Sequence, residues 1–173
     1  MNMYLSVLLV FLSLTQTEAV NLDYDITIDW EFRQGGQIRF ELAISKSLFE
    51  EYSYFVLFFQ YADVENLLGG DRVDIKKVGA GEPDSTFEFD YPSADNHSKS
   101  SKGDKFVFEW ERALDTGIPP DTVFEDDKEY DLSWGYSETI DSFETGDIKG
   151  RITIELSSDE SISEGNTSFL GFI

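Results

Sequence analysis

The sequence predicts an all-β protein, an antiparallel immunoglobulin-like β-sandwich of about eight or more strands. Three observations carry that reading. Apolar and polar residues alternate with a period of two, as where Tyr24, Ile26, Ile28, Trp30 and Phe32 face Asp23, Asp25, Thr27, Asp29 and Glu31. Clusters of Gly, Pro, Asn and Asp break the alternation at short intervals. Aromatic residues make up 15% of the chain, enough bulky apolar surface for a core between two layers.

The elements follow in chain order. Residues 5–14, LSVLLVFLSL, are uncharged and apolar, yet too short to cross a hydrocarbon core of ~30 Å as a helix. Thr17 and Ala19 form a small-x-small step behind them, so residues 1–19 read as a signal peptide cut after Ala19. Both methionines, Met1 and Met3, would leave with it. Residues 20–157 then read as the sandwich. Residues 158–173, rich in Ser, Glu, Asp and Gly, are expected to be an acidic mobile tail.

Within the sandwich, the alternating run ending at Phe32 and a second one, Ile38, Phe40, Leu42 and Ile44, flank Gly35-Gly36 and predict a hairpin. Tyr54–Phe59 is a continuous apolar run, as expected of a central strand covered on both faces. Val73 and Ile75, with Val78, predict a strand after the turn at Gly69-Gly70-Asp71. Phe87, Phe89 and Tyr91 predict another, up to Pro92. Residues 93–105 read as a polar loop. Strands are expected again at Phe106, Phe108 and Trp110, at Tyr130, Leu132, Trp134 and Tyr136, and at Ile152, Ile154 and Leu156. Helical turns are expected only near Ser47–Tyr52 and Ala62–Leu68.

Composition removes several functions. With 13 Lys+Arg against 35 Asp+Glu, a net charge of -22, the chain lacks the clustered cations that nucleic acid or an anionic membrane requires. With no Cys it has no disulfide, no thiol nucleophile and no Cys-ligated zinc or iron–sulfur cluster. No further apolar stretch reaches spanning length, so no transmembrane anchor is expected, and a secreted or secretory-lumen protein is. The sequons Asn96-His97-Ser98 and Asn166-Thr167-Ser168 make Asn96 and Asn166 candidate glycosylation sites of a glycoprotein.

Four stretches resemble a DOMON domain, the sandwich related to the dopamine β-monooxygenase N-terminal module and to cellobiose dehydrogenase cytochrome domains. They are the strand reaching Trp30 with the following IRFEL, Ile38 to Leu42; the apolar strand Tyr54 to Phe59 leading through Gly69-Gly70 to Asp71-Arg72-Val73; FVFEWERALDTG, Phe106 to Gly117, with an Arg-Pro-Leu-x-Thr-Gly-like ending at Arg112; and YDLSWGY, Tyr130 to Tyr136, before a closing strand Arg151 to Leu156. The resemblance implies a sandwich over roughly residues 22–157 that binds haem or sugars. In haem-binding relatives a Met and a His or Lys ligate the iron. This chain departs from that pattern: no Met follows the predicted cut, and Glu144 to Lys149, where relatives place a His, has none. Haem b remains an alternative only with non-standard ligands such as Lys149 or a Tyr.

No residues converge on a catalytic constellation. His97 with Ser98, Ser100 and Ser101 reads as a solvated loop, and no catalytic residue and no metal ligand set is expected. Asp23, Asp25 and Asp29 on one strand, and Glu125-Asp126-Asp127 with Glu129 and Asp131, read mainly as solubilising faces, with calcium or a basic protein surface as the alternative partner. Trp110, Trp134 and Tyr136 are candidate ligand-stacking residues, although their phase on the strands also suits a core role. The expected function is therefore a non-catalytic binding module for a carbohydrate or small molecule.

Overall fold

The computed structural model describes residues 19–23, 25–62, 70–78, 86–92, 94–118, 121–139 and 147–158, with backbone only at 86–90. The predicted signal peptide (apart from Ala19), nearly all of the expected tail with Asn166, and all but Ala62 of the Ala62–Leu68 turn lie outside these residues.

The described residues form ten strands and one helical turn: β1 (Val20–Asp23), β2 (Ile26–Arg33), β3 (Gln37–Ser45), α1 (Leu48–Glu51), β4 (Tyr54–Tyr61), β5 (Asp71–Val78), β6 (Thr86–Asp90), β7 (Asn96–Lys102), β8 (Lys105–Ala113), β9 (Lys128–Ser137) and β10 (Ile148–Leu156). They form two antiparallel sheets, ordered β1-β2-β3-β8-β7 and β10-β9-β4-β5-β6. The protein is an all-β sandwich.

The alternation decides which side chains meet between the sheets. On β2, β3 and β8 the apolar set Ile28, Trp30, Phe40, Leu42, Ile44, Phe108 and Trp110 is buried and joins one cluster with Leu57, Phe59, Tyr130, Leu132 and Trp134 from the other sheet. Its centre is aromatic: the Phe40 ring stacks on Trp110 at 5.3 Å and lies 4.9 Å from Phe59, and Phe124 touches both Phe40 and Phe59 at 5.4 Å. The β2–β3 hairpin turns at residues 34–36, where Gly35 and Gly36 adopt φ of 89° and 74°, a region open to glycine and costly to most side chains. β4 is buried along Tyr54 to Gln60, with Tyr54, Val56 and Phe58 forming a second cluster on the side of the sheet away from the main core.

Four expectations change. The opening alternation is two strands, because the chain turns at Asp25 and β1 folds back on β2, pairing Asp23 with Ile26. Asp23, Asp25 and Asp29 therefore do not share one strand face. Residues 96–102 are a strand rather than part of a loop. β7 pairs with β8 from Asn96↔Glu111 to Lys102↔Lys105, closed by the short Gly103-Asp104 turn. All seven of its side chains are exposed, so no apolar period marks it; the backbone ladder to β8 alone makes it a strand. Finally, β10 begins at Ile148, which places Lys149 inside the closing strand, at a bulge between Ile148 and Gly150. Among the described residues no helix is long and apolar enough to cross a membrane.

Candidate functional site

The three candidate stacking residues occupy different places. Trp110 is 1% exposed, stacked on Phe40 and edge-on to Tyr91 at 6.4 Å, in the middle of the core. Trp134 and Tyr136 share one side of β9 towards its C-terminal end, where Tyr136 pairs with Phe55. The Phe59 ring that touches Phe40 belongs to a residue paired with Leu132, four positions before Tyr136 and so about 13 Å away along the strand. The structure brings Trp134 and Tyr136 together and leaves Trp110 apart from Tyr136.

A corner of the sandwich forms around Tyr136. The one-turn helix α1 delivers Tyr52, whose ring centroid lies 4.5 Å from that of Tyr136. Both rings are half-buried. The ammonium of Lys149 stands 5.3 Å from the Tyr136 centroid, carried there by the start of β10. Tyr136 is held protonated mainly by burial, with the negative charges of Asp23, Glu51 and Asp25 adding to the upward shift. For Tyr52 the largest cause of the upward shift is its hydrogen bond to Glu51, followed by burial and the charges of Glu51 and Glu138. Carboxylates from β1, the β1–β2 turn, α1 and the residue after β9 thus act electrostatically on one aromatic pair.

Trp134 lies two residues deeper. It is 6% exposed, and its indole N–H is buried without an acceptor among the described residues. A Cβ built on Gly150 would sit 2.2 Å from Cζ2 and 2.8 Å from Cε2 of this indole, so glycine is what lets the ring lie under β10. Cε2 is bonded to Nε1, which places the unpaired donor beside Gly150 and its neighbour Lys149. An unmet buried donor costs about 1–3 kcal/mol unless something accepts from it. The sequence pointed to Trp134, Tyr136 and Lys149 separately; Tyr52 carried no signal, because only the placement of α1 brings it to Tyr136.

The remaining candidates have local roles. Ser98 donates to Glu109 at 3.3 Å, and His97 stands opposite Trp110 in the β7–β8 register on an exposed edge strand. Asp126 accepts from the Ser158 backbone and hydroxyl, Asp127 accepts from Ser157 at 2.6 Å, and Glu125 pairs with Lys128 at 2.5 Å. Among the described residues no three His, Asp or Glu side chains converge as a metal cage. Asn96 is exposed at the first position of the edge strand.

A haem held by a Met and a His, as in haem-binding DOMON domains, does not fit the residues present. The only His points from the exposed edge strand, and the aromatic rings between the sheets near Trp110 contact one another at 4.9–5.4 Å. No family model matches this chain, and no curated protein matches it.

Proposed function

We propose that the protein is a secreted DOMON-like sandwich that binds a small molecule or carbohydrate and catalyses nothing, with the ligand held at the Tyr136 corner. The observation that supports this reading is the combination of a half-exposed Tyr52–Tyr136 pair with the unpaired, buried N–H of Trp134 beside it. Flat rings offer an apolar face to a sugar or a small amphipathic molecule, and one buried donor fixes its orientation. Trp110, deep in the core, serves packing in this reading rather than contact with ligand.

The second reading is a haem-carrying electron-transfer domain with non-standard ligands, favoured by the meeting of Lys149 and Tyr136 at the same corner. The same purification separates the two. Native protein is isolated, scanned in the visible range, and whatever co-purifies is identified by mass spectrometry. A bound sugar or small molecule without a Soret band supports the first reading; a Soret band at stoichiometric haem replaces it with the second.

A third reading, an acidic module for a basic protein surface or calcium, rests on the net charge of -22. Binding that fades with salt and is absent from glycan arrays would favour it.

A further inference from the structure

We propose that the ligand class taken at the Tyr136 corner is a small organic cation that also carries an oxygen acceptor, as in an amino alcohol or an amino sugar. This rests on the reading of that corner as a ligand site and narrows what the site accepts.

Three features at the corner select a cation. The face of Tyr136 already holds an ammonium, that of Lys149 at 5.3 Å, inside the ~6 Å over which a ring quadrupole attracts a cation. Asp23, Asp25 and Glu51 all act on Tyr136, and Glu51 and Glu138 on Tyr52, so carboxylates of several elements bear on the ring pair. These carboxylates approach from different elements and, among the described residues, no three of them converge on a point. A compact hard ion such as calcium needs six to eight oxygens close in, whereas a bulky ammonium is satisfied by a diffuse negative field and an aromatic wall.

The fourth feature adds the acceptor. Trp134 is buried with its N–H unpaired among the described residues, and that N–H lies beside Gly150, which follows the residue whose ammonium sits on Tyr136. A bare alkylammonium would leave the donor unmet. A hydroxyl or ring oxygen a few bonds from the charged nitrogen satisfies both, while a neutral sugar meets the indole and forgoes the negative field. Lys149, on this account, is a resident cation that an incoming one displaces.

The test titrates the full chain with choline against its uncharged isostere 3,3-dimethylbutan-1-ol, and with glucosamine against glucose, following tryptophan fluorescence and heat. Each cation is expected to bind roughly tenfold more tightly than its neutral counterpart, with affinity falling as salt is raised. Tyr136→Ala should abolish this binding. Lys149→Met should tighten it about threefold, since no side-chain ammonium then competes for the ring. Glu51→Gln is a surface change that leaves the core intact, and it should weaken cation binding about threefold whether or not Tyr136→Ala folds. Equal binding of the neutral partners, lost in Tyr136→Ala, would overturn the cation class and leave the ligand site standing. Binding of none of the four compounds, or binding indifferent to Tyr136→Ala and Glu51→Gln, would overturn both.

Discussion

Arg112 on β8 and Asp71 on β5 form an ion pair across the gap between the two sheets, with both side chains fully buried. The same guanidinium donates to the Tyr91 hydroxyl at 2.8 Å and to the Ala113 and Thr122 carbonyls at 2.8 and 2.6 Å, and lies 4.5 Å from the Phe124 centroid. Thr122 in turn donates to the Phe59 carbonyl at 3.1 Å, and the Phe124 amide donates to Leu114 at 2.8 Å. One arginine therefore ties both sheets and the strand-linking segment after β8 at one end of the sandwich. It opens the Arg-Ala-Leu-Asp-Thr-Gly stretch of residues 112–117, and its partner opens the Asp71-Arg72-Val73 stretch.

Breaking this pair should be among the costliest single changes in the chain. Removing one partner strands the other charge without water, so Arg112→Ala or Asp71→Leu is expected to lose about 3–5 kcal/mol. Replacing both, Arg112→Met with Asp71→Leu, should cost much less than the two singles combined. Urea unfolding of the four proteins measures the coupling.

Asp71 also sets a pH dependence. Burial is the largest influence on it and, against the opposing pull of Arg112, its carboxyl is pushed up to about 6 from 3.8. A folded-state value above the unfolded one means that the folded protein holds a proton the unfolded chain has released. The stabilising contribution is then complete below the unfolded value, near pH 4, and is lost as the pH rises through about 6. Repulsion among the other carboxylates slopes the same way. The decisive quantity is the difference: unfolding free energy from pH 4 to 7 should fall less steeply in Asp71→Asn than in the parent.

Gly150→Ala should disturb one specific contact. Its methyl would overlap the Trp134 ring, so the ring or β10 must shift, at about 1–3 kcal/mol. The Trp134 fluorescence and near-ultraviolet signal should change with it. In a Trp134→Phe background the same substitution should cost far less, which equilibrium unfolding of the double variant would reveal.

Trp110 and Tyr136 should separate into stability and binding. Trp110→Ala empties the core beside Phe40 and is expected to cost about 3–5 kcal/mol. Tyr136→Ala removes a half-buried ring at the corner and should cost clearly less, while abolishing ligand binding. Parallel unfolding and titration curves compare the two.

Asn96 is exposed on an edge strand and spaced from the core, so a glycan there should be tolerated. Expression through a eukaryotic secretory pathway should yield protein whose mass falls on glycosidase treatment. Asn96→Gln should remove that portion of the shift with stability changed by less than about 0.5 kcal/mol. An unchanged mass for the parent would mean that the sequon is not used.

Local pattern alone determined the all-β class, the β2–β3 hairpin and the inward placement of Trp30, Trp110 and Trp134, through the two-residue repeat of a strand and the turns bounding it, and the two-sided burial of β4, through the unbroken apolar run of Tyr54 to Phe59. Tertiary structure alone decided what required register between distant strands. β7 has no apolar face and is a strand only because β8 offers it a ladder. Arg112 is a latch only because β8 and β5 face each other, and Tyr52 meets Tyr136 only because α1 closes over the end of β9. Gly150 is required only because a bulge lays β10 over Trp134. The period of a strand is local and can be read from neighbouring residues; the meeting of two side chains across sheets depends on the path of all the chain between them.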